Sequence, residues 1–366
     1  MNHAFKTTTA AGVAAAIGLL AAPGATFAAE SLTIVSWGGA YEESQRKAYY
    51  EPYTEMTGTE IVQVSKSANG LAGVRSQVEA GKVTWDVVDM LEGPAIRACQ
   101  EGIIEPIDHD EILKPAPNGD SPSEDFIPEL RECFVPEILY ATLFAYNSEM
   151  FSGDAPSTVK DVWNTSDYPG KRSLQKIPAG NLEWALMADG VAHDKVYEVL
   201  KSDGGVNRAF KSLNKIKNDV VWWSEGAQPP QLLADQEVSI ATGYNGRFFN
   251  AQVVEDQPIE IMWDGQLFEV DGWVVPKGNL TDEVKSFLRF STDTQRLADQ
   301  AKYISYGPAR HSSASRVGKH AETGVDMSPH MPTNPDNLKT AIPKNAVFWA
   351  DNGDSLSERF NAWLAM

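Results

Sequence analysis

The sequence predicts an α/β fold built on largely parallel sheets. Short apolar runs alternate with helical patterns, Gly and Pro punctuate the joints, and no repeat or long low-complexity linker interrupts the order. Residues 32–35 form a first strand, broken by Gly38-Gly39. Residues 41–56 then read as a helix, perturbed by Pro52 and stopped by Gly58. Strands are expected at 61–64 and 85–90, with helices at 71–80 and 94–101 ended by Gly81 and Gly102. Residues 138–146 form a mixed apolar run that suits a crossing strand. Beyond an irregular region with a turn at Pro169-Gly170, helices are expected at 181–189, 194–201, 207–216 and 228–235. Pro229-Pro230 sit acceptably in the first turn of the last of these. Strands follow at 238–241, 259–263 and 270–275, then helices at 281–289, 294–303 and 355–364. Residues 307–343 read as a polar, proline-bearing crossover.

The amino terminus points outside the cytoplasm. One lysine lies within residues 1–6, a nearly uncharged run covers 10–22, and Pro23-Gly24-Ala25-Thr26-Phe27-Ala28-Ala29 follows. That is the pattern of a secretory signal peptide over residues 1–28. The apolar run is shorter than the ~20 residues a bilayer span requires. An exported, soluble chain is therefore expected, with an uncleaved membrane anchor as the alternative. About 335 residues remain after such a leader, more than one core usually holds, which favours two domains.

The formal charge of 31 − 50 = −19 argues against nucleic acid and anionic membrane surfaces as partners. Cys99 and Cys133 are an even pair in an exported chain, which favours a disulfide over two separate thiols. It would close a loop of 34 residues, a contribution of very roughly 3 kcal/mol. The scattered histidines offer no metal site, and no cofactor motif is present.

Aromatic and charged residues gather at strand ends, where open α/β sheets bind ligands. Trp37 follows the first strand, Glu92 the third, and Tyr244-Asn245-Gly246-Arg247 a later one. Trp263-Asp264-Gly265 and Asp271-Gly272-Trp273 complete the set, with Glu183, Trp184 and Glu225 as further candidates. Indole and phenol faces attract ammonium groups, carboxylates add charge-assisted hydrogen bonds, and arginine holds a carboxylate bidentately. Each has a plainer role: Trp37 and Trp273 in core or hinge packing, Asp271 in a turn cap, Arg247 in an ion pair with Asp264 or Glu225.

In this order, these landmarks resemble the periplasmic polyamine-binding proteins of ABC importers and their relatives that bind ω-amino acids. The likeness rests on residues 34–39, Trp85-Asp86-Val87-Val88, the two cysteines, residues 223–233, Tyr244 to Arg247, Trp263-Asp264-Gly265-Gln266-Leu267, Asp271-Gly272-Trp273-Val274-Val275-Pro276-Lys277-Gly278, and Trp349-Ala350-Asp351-Asn352-Gly353. The resemblance implies a two-lobed periplasmic binding protein fold of type II kind. Its first lobe would comprise residues 29–146 with 273–322, and its second 147–272 with 323–366. Crossings are implied near residues 140–146, 271–275 and 306–325, the last placing Tyr306 at the cleft. It implies that Trp37 holds one end of the ligand and Asp271 an amine. It further implies a monomer that serves permease subunits in the inner membrane.

Two departures bear on the ligand. Polyamine binders of this kind usually carry an Asp beside the first Trp, where this chain has Gly38 and Gly39. They also tend to carry an acid where this chain has Arg247. An acid removed and a base added suit a 4-aminobutyrate-like ligand better than putrescine or spermidine. An exported hydrolase with Glu225 and Asp264 as acid and base is the competing class. The chain has neither a Gly-x-Ser-x-Gly elbow nor a His-Glu-x-x-His helix to support it.

Overall fold

The computed structural model describes residues 31–366, together with Met1 and Ala4; the signal-peptide segment lies outside the described residues. The architecture is a mixed α/β sheet of ten strands carrying helices. The strands are β1 (Ser31–Ser36), β2 (Glu60–Ser65), β3 (Val87–Leu91), β4 (Val135–Asn147), β5 (Arg172–Gln175), β6 (Val220–Trp223), β7 (Ile240–Tyr244), β8 (Ile259–Val274), β9 (Gly307–Pro308) and β10 (Ile342–Pro343). The sheet order is β2-β1-β3-β8-β4-β7-β5-β6, with β9 beside β4 and β10 beside β8. β1 pairs in parallel with β2 and β3, and β5 in parallel with β6 and β7.

These two parallel groups carry separate cores. One gathers residues such as Ile34, Val88, Phe134, Trp273 and Phe287; the other gathers Phe144, Leu174, Trp184, Met262 and Phe360. What joins them is the antiparallel pair β4–β8, thirteen and sixteen residues long, which runs through both. Crossing strands at 138–146 and 270–275 are therefore present, but they belong to longer strands than the sequence suggests. The run at 259–263 is not separate from that at 270–275. Between the pairs Thr142–Leu267 and Phe144–Met262, Trp263 to Gln266 bulge out of one continuous strand. Gly265 takes φ +66°, which only glycine adopts without strain.

Three other differences have local causes. Residues 41–56 are not one regular helix. A helix over Gly39–Gln45 widens into a π turn over Arg46–Tyr50, then resumes over Glu51–Thr57. Pro52 stands in the renewed first turn, where its missing N–H is tolerated. β5 escapes notice because Arg172, Ser173 and Gln175 are polar; buried Arg172 donates to the carbonyls of Val162, Tyr168 and Gly170. The terminal helix begins at Ala346, capped by Asn345, well before the expected start. Arg310 is still tied to Asp125 in the first lobe; beyond it His320 and His330 pack on Phe249, and the chain meets β8 where Gln266 donates to the Pro332 carbonyl.

Cys99 and Cys133 form a disulfide with a Cα–Cα distance of 5.8 Å. It ties the helix Glu92–Gln100 to the entry of β4. Reduction and alkylation should lower the unfolding free energy by roughly 3 kcal/mol. Denaturant titration checks this, and an unchanged midpoint would contradict it. A second test concerns the joint itself. A Cβ at Gly272 would lie 2.2 Å from the Val135 carbonyl oxygen. Gly272→Ala must therefore spread β4 from β8, and a loss of about 3 kcal/mol is expected in the same titration. A loss below about 0.5 kcal/mol would show that the pairing tolerates a gap.

Candidate functional site

The carboxyl ends of the parallel strands in the two lobes converge on Tyr306. From the first lobe, Tyr41 follows β1 and lies 5.7 Å from the Tyr306 ring. From the second, Gly246 follows β7, and a Cβ there would stand 2.7 Å from the same ring. Asn245 fastens this junction, accepting from the Ala141 amide at 2.9 Å and donating to the Ser305 carbonyl. The rings continue as a strip: Tyr306–Tyr140 at 5.8 Å, Tyr140–Tyr244 at 5.7 Å and Tyr244–Trp223 at 5.8 Å.

One end of the strip carries three buried acids. Asp89 is on β3, Asp271 on β8 and Glu137 on β4, with relative exposures of 0%, 4% and 0%. The side chains of Asp89 and Asp271 share a sheet face, because Asp89 pairs with Trp273 and Asp271 with Leu91. Glu137 reaches them because it is the extra residue of a bulge between Pro136 and Ile138. Gln45, brought inward at the start of the π turn, bridges the group. Its amide donates to Asp89 at 2.6 Å and to Glu137 at 2.9 Å. Tyr41 donates to Glu137 at 3.1 Å. Among the described residues, none of the three forms an ion pair with a Lys, Arg or His.

Burial therefore dominates their titration. Desolvation raises Asp89 to about 6, against smaller lowering by hydrogen bonds from Asp271, Gln45, Tyr41 and Trp37. Desolvation, followed by repulsion from Asp89, pushes both Asp271 and Glu137 well above the usual carboxyl range. Asp89 Oδ1 has no partner of good hydrogen-bond geometry despite full burial. Trp37, 37% exposed, overhangs Asp89 from the end of β1.

The other end of the strip carries Arg247. It is exposed, forms no ion pair among the described residues, and sits against Gly226 and Tyr244; a Cβ on Gly226 would lie 3.2 Å from its Nε. Arg247 and Asp271 both act electrostatically on the Tyr306 phenol, in opposite senses. A crevice of about 480 Å³ opens here, lined by Tyr41, Arg247, Asn250 and Tyr306. A larger crevice of about 860 Å³ is lined by Leu139, Phe268, Glu269 and Val270 of the crossing strands. Several of its charges are already matched, with Glu92 paired to Arg131 at 2.8 Å and Glu269 to Lys344 at 2.5 Å.

Of the residues singled out from sequence, the structure thus brings Trp37 to Asp271's neighbourhood, Arg247 and Tyr306 to the crevice, and Tyr244 to the aromatic strip beside it. Glu225 is exposed nearby and acts on Tyr244. Others hold the scaffold. Trp273 is buried in the first core against Tyr49 and Phe287. Trp184 packs on Phe144 and donates to the Gly265 carbonyl at 2.8 Å. Glu183 is buried, accepting from the Gly180 amide, Tyr197 and Trp349. Asp264 accepts from the Val159 amide at 2.8 Å, and Trp263 packs beside the second-lobe core. Neither Asp264 nor Glu225 pairs with Arg247. Sequence reasoning missed Tyr41, Gln45, Asp89, Glu137 and Tyr140. Asp89 alone left a signal, as an acid inside an apolar strand.

A family model for bacterial extracellular solute-binding proteins matches residues 48–333. A gamma-aminobutyric acid-binding protein of Pseudomonas aeruginosa is 37% identical over 351 residues, 95% of each chain. Among solved structures, an ABC transporter substrate-binding protein from Bradyrhizobium japonicum is 31% identical with a TM-score of 0.80, covering 91% of this chain and 99% of that one. The Atu4243 GABA receptor is 30% identical with a TM-score of 0.77, covering 92% and 98%. These relatives are binders, in line with a chain that captures a solute rather than one that hydrolyses it. The coverage, the two-lobed fold and the site between the lobes lead to one assignment: the chain belongs to the bacterial extracellular solute-binding protein family.

Proposed function

We propose that this chain captures a short ω-amino acid of the 4-aminobutyrate kind for the permease of an ABC importer, acting in the periplasm as a monomer. The ammonium end lies against Asp271 and Trp37, and the carboxylate end against Arg247. The observation that carries this reading is the charge layout. An acid cluster without a cation and an arginine without an anion stand at opposite ends of one aromatic strip. A zwitterion satisfies both at once. A diamine satisfies the acids but sets its second ammonium against Arg247, at a cost of about 4 kcal/mol at 4 Å separation near a surface. The gamma-aminobutyric acid-binding relative supports the same ligand class.

Calorimetry with 4-aminobutyrate and putrescine in parallel tests the reading. Tight 4-aminobutyrate binding is expected, and tight putrescine binding with no 4-aminobutyrate heat would return the polyamine ligand to first place. Asp271→Ala should weaken 4-aminobutyrate binding roughly 100-fold, as when a buried pair loses one member. Less than about threefold would leave Asp271 a structural cap. Arg247→Ala should weaken 4-aminobutyrate at least tenfold and leave putrescine unharmed or improved. Equal losses for both ligands would deny Arg247 the role of carboxylate clamp.

A further inference from the structure

We propose that ligand capture is proton-coupled: the incoming ammonium displaces one proton from the Asp89–Glu137–Asp271 cluster, and Asp89 sets the pH at which this happens. The inference rests on the ligand reading above and adds to it a property of the empty site. Three carboxyls meet here, each nearly or fully buried. In most buried acid clusters a lysine or arginine supplies the balance. Here the bridging residue is Gln45, a neutral amide that donates to two of the acids and brings no charge.

The other groups around the cluster do not help. Tyr41, Tyr49 and Tyr50 face it from the first helix and the π turn, and each is itself pushed upward by burial and by these acids. Tyr140 and Tyr306 face Asp271 from β4 and from the segment before β9, and both are raised in the same way. Gln300 reaches Glu137, and Trp37 reaches Asp89, both neutral. Glu269, the next acid on the same face of β8, is neutralised by Lys344. Arg247 reaches Tyr306 without pairing to an acid.

The empty cluster must therefore keep protons. Asp89 Oδ1 is fully buried without a partner of good hydrogen-bond geometry. Asp89 ionises first, and its charge keeps the neighbouring Asp271 protonated. When an ammonium arrives, the Asp271 O–H bond breaks, its proton leaves to solvent, and the carboxylate pairs with the ligand. The ligand keeps all its protons. Its amine resembles Lys at ~10.4 and its carboxyl Glu at ~4.3, so it neither gains nor loses one near neutral pH.

Calorimetry of the full mature chain with 4-aminobutyrate, in buffers of contrasting ionisation heat at pH 7, counts the protons directly. About one proton released per ligand is expected, with Kd tightening near tenfold per pH unit between pH 6 and 7.5. Asp89→Asn should move the pH at which this tightening levels off downward, because Asp271 loses its charged neighbour. Binding heat with no proton release overturns the coupling and leaves the ligand reading intact. An unchanged pH profile in Asp89→Asn takes the role away from the cluster and also overturns it. Absence of 4-aminobutyrate heat overturns the ligand reading and the coupling with it.

Discussion

The pairing of β4 with β8 is the constraint on which the rest depends. It joins two cores that share little else, and it carries the chemistry at the same time. Asp271 and Glu137 are residues of these two strands, placed where one lobe gives way to the other. The bulge that frees Glu137 and the glycine at 272 are features of one stretch of ladder, where Pro136 stands opposite Gly272. A strand pair this long cannot bend freely. It has two irregular points, at Glu137 and at Trp263 to Gln266. The second is held by Trp184 on the Gly265 carbonyl, by Asp264 on the Val159 amide and by Gln266 on the Pro332 carbonyl.

Electrostatics then separates two crevices that shape alone would rank the other way. Much of the charge lining the larger one is held in ion pairs. The smaller one is lined by Arg247, which has no ion pair among the described residues, and by Tyr41, which donates to Glu137 of the acid cluster. A buried acid cluster with no cation beside it is costly to ionise. Such an arrangement persists when something from outside completes it. The four tyrosines between the ends supply an apolar floor that suits a short methylene chain and offer no further charge.

Much of this was legible in the sequence. Trp37 and Arg247 stand out because each follows a strand that reads clearly, and the cysteine pair because the chain looks exported. Asp271 was legible through resemblance rather than pattern. The acids that complete the cluster were not. Asp89 sits within an apolar strand, where side-chain alternation alone cannot tell a core-facing acid from an edge residue. Glu137 depends on a bulge, and a one-residue slip in a ladder leaves no mark in composition. Gln45 lies four residues after buried Tyr41 on the same helix face, but a glutamine there reads as a surface residue in the sequence. Trp184, Glu183 and Trp273 are buried, and large or polar side chains at such places also serve as internal struts.

The central claim is that one ligand spans both ends of the aromatic strip. The most direct measurement is a crystal structure of the mature chain with 4-aminobutyrate bound. The account predicts the ammonium within hydrogen-bond distance of the Asp271 carboxylate beneath the Trp37 indole, and the carboxylate on the Arg247 guanidinium beside Tyr306. A ligand seated in the larger crevice, or one whose carboxylate leaves Arg247 untouched, would contradict it.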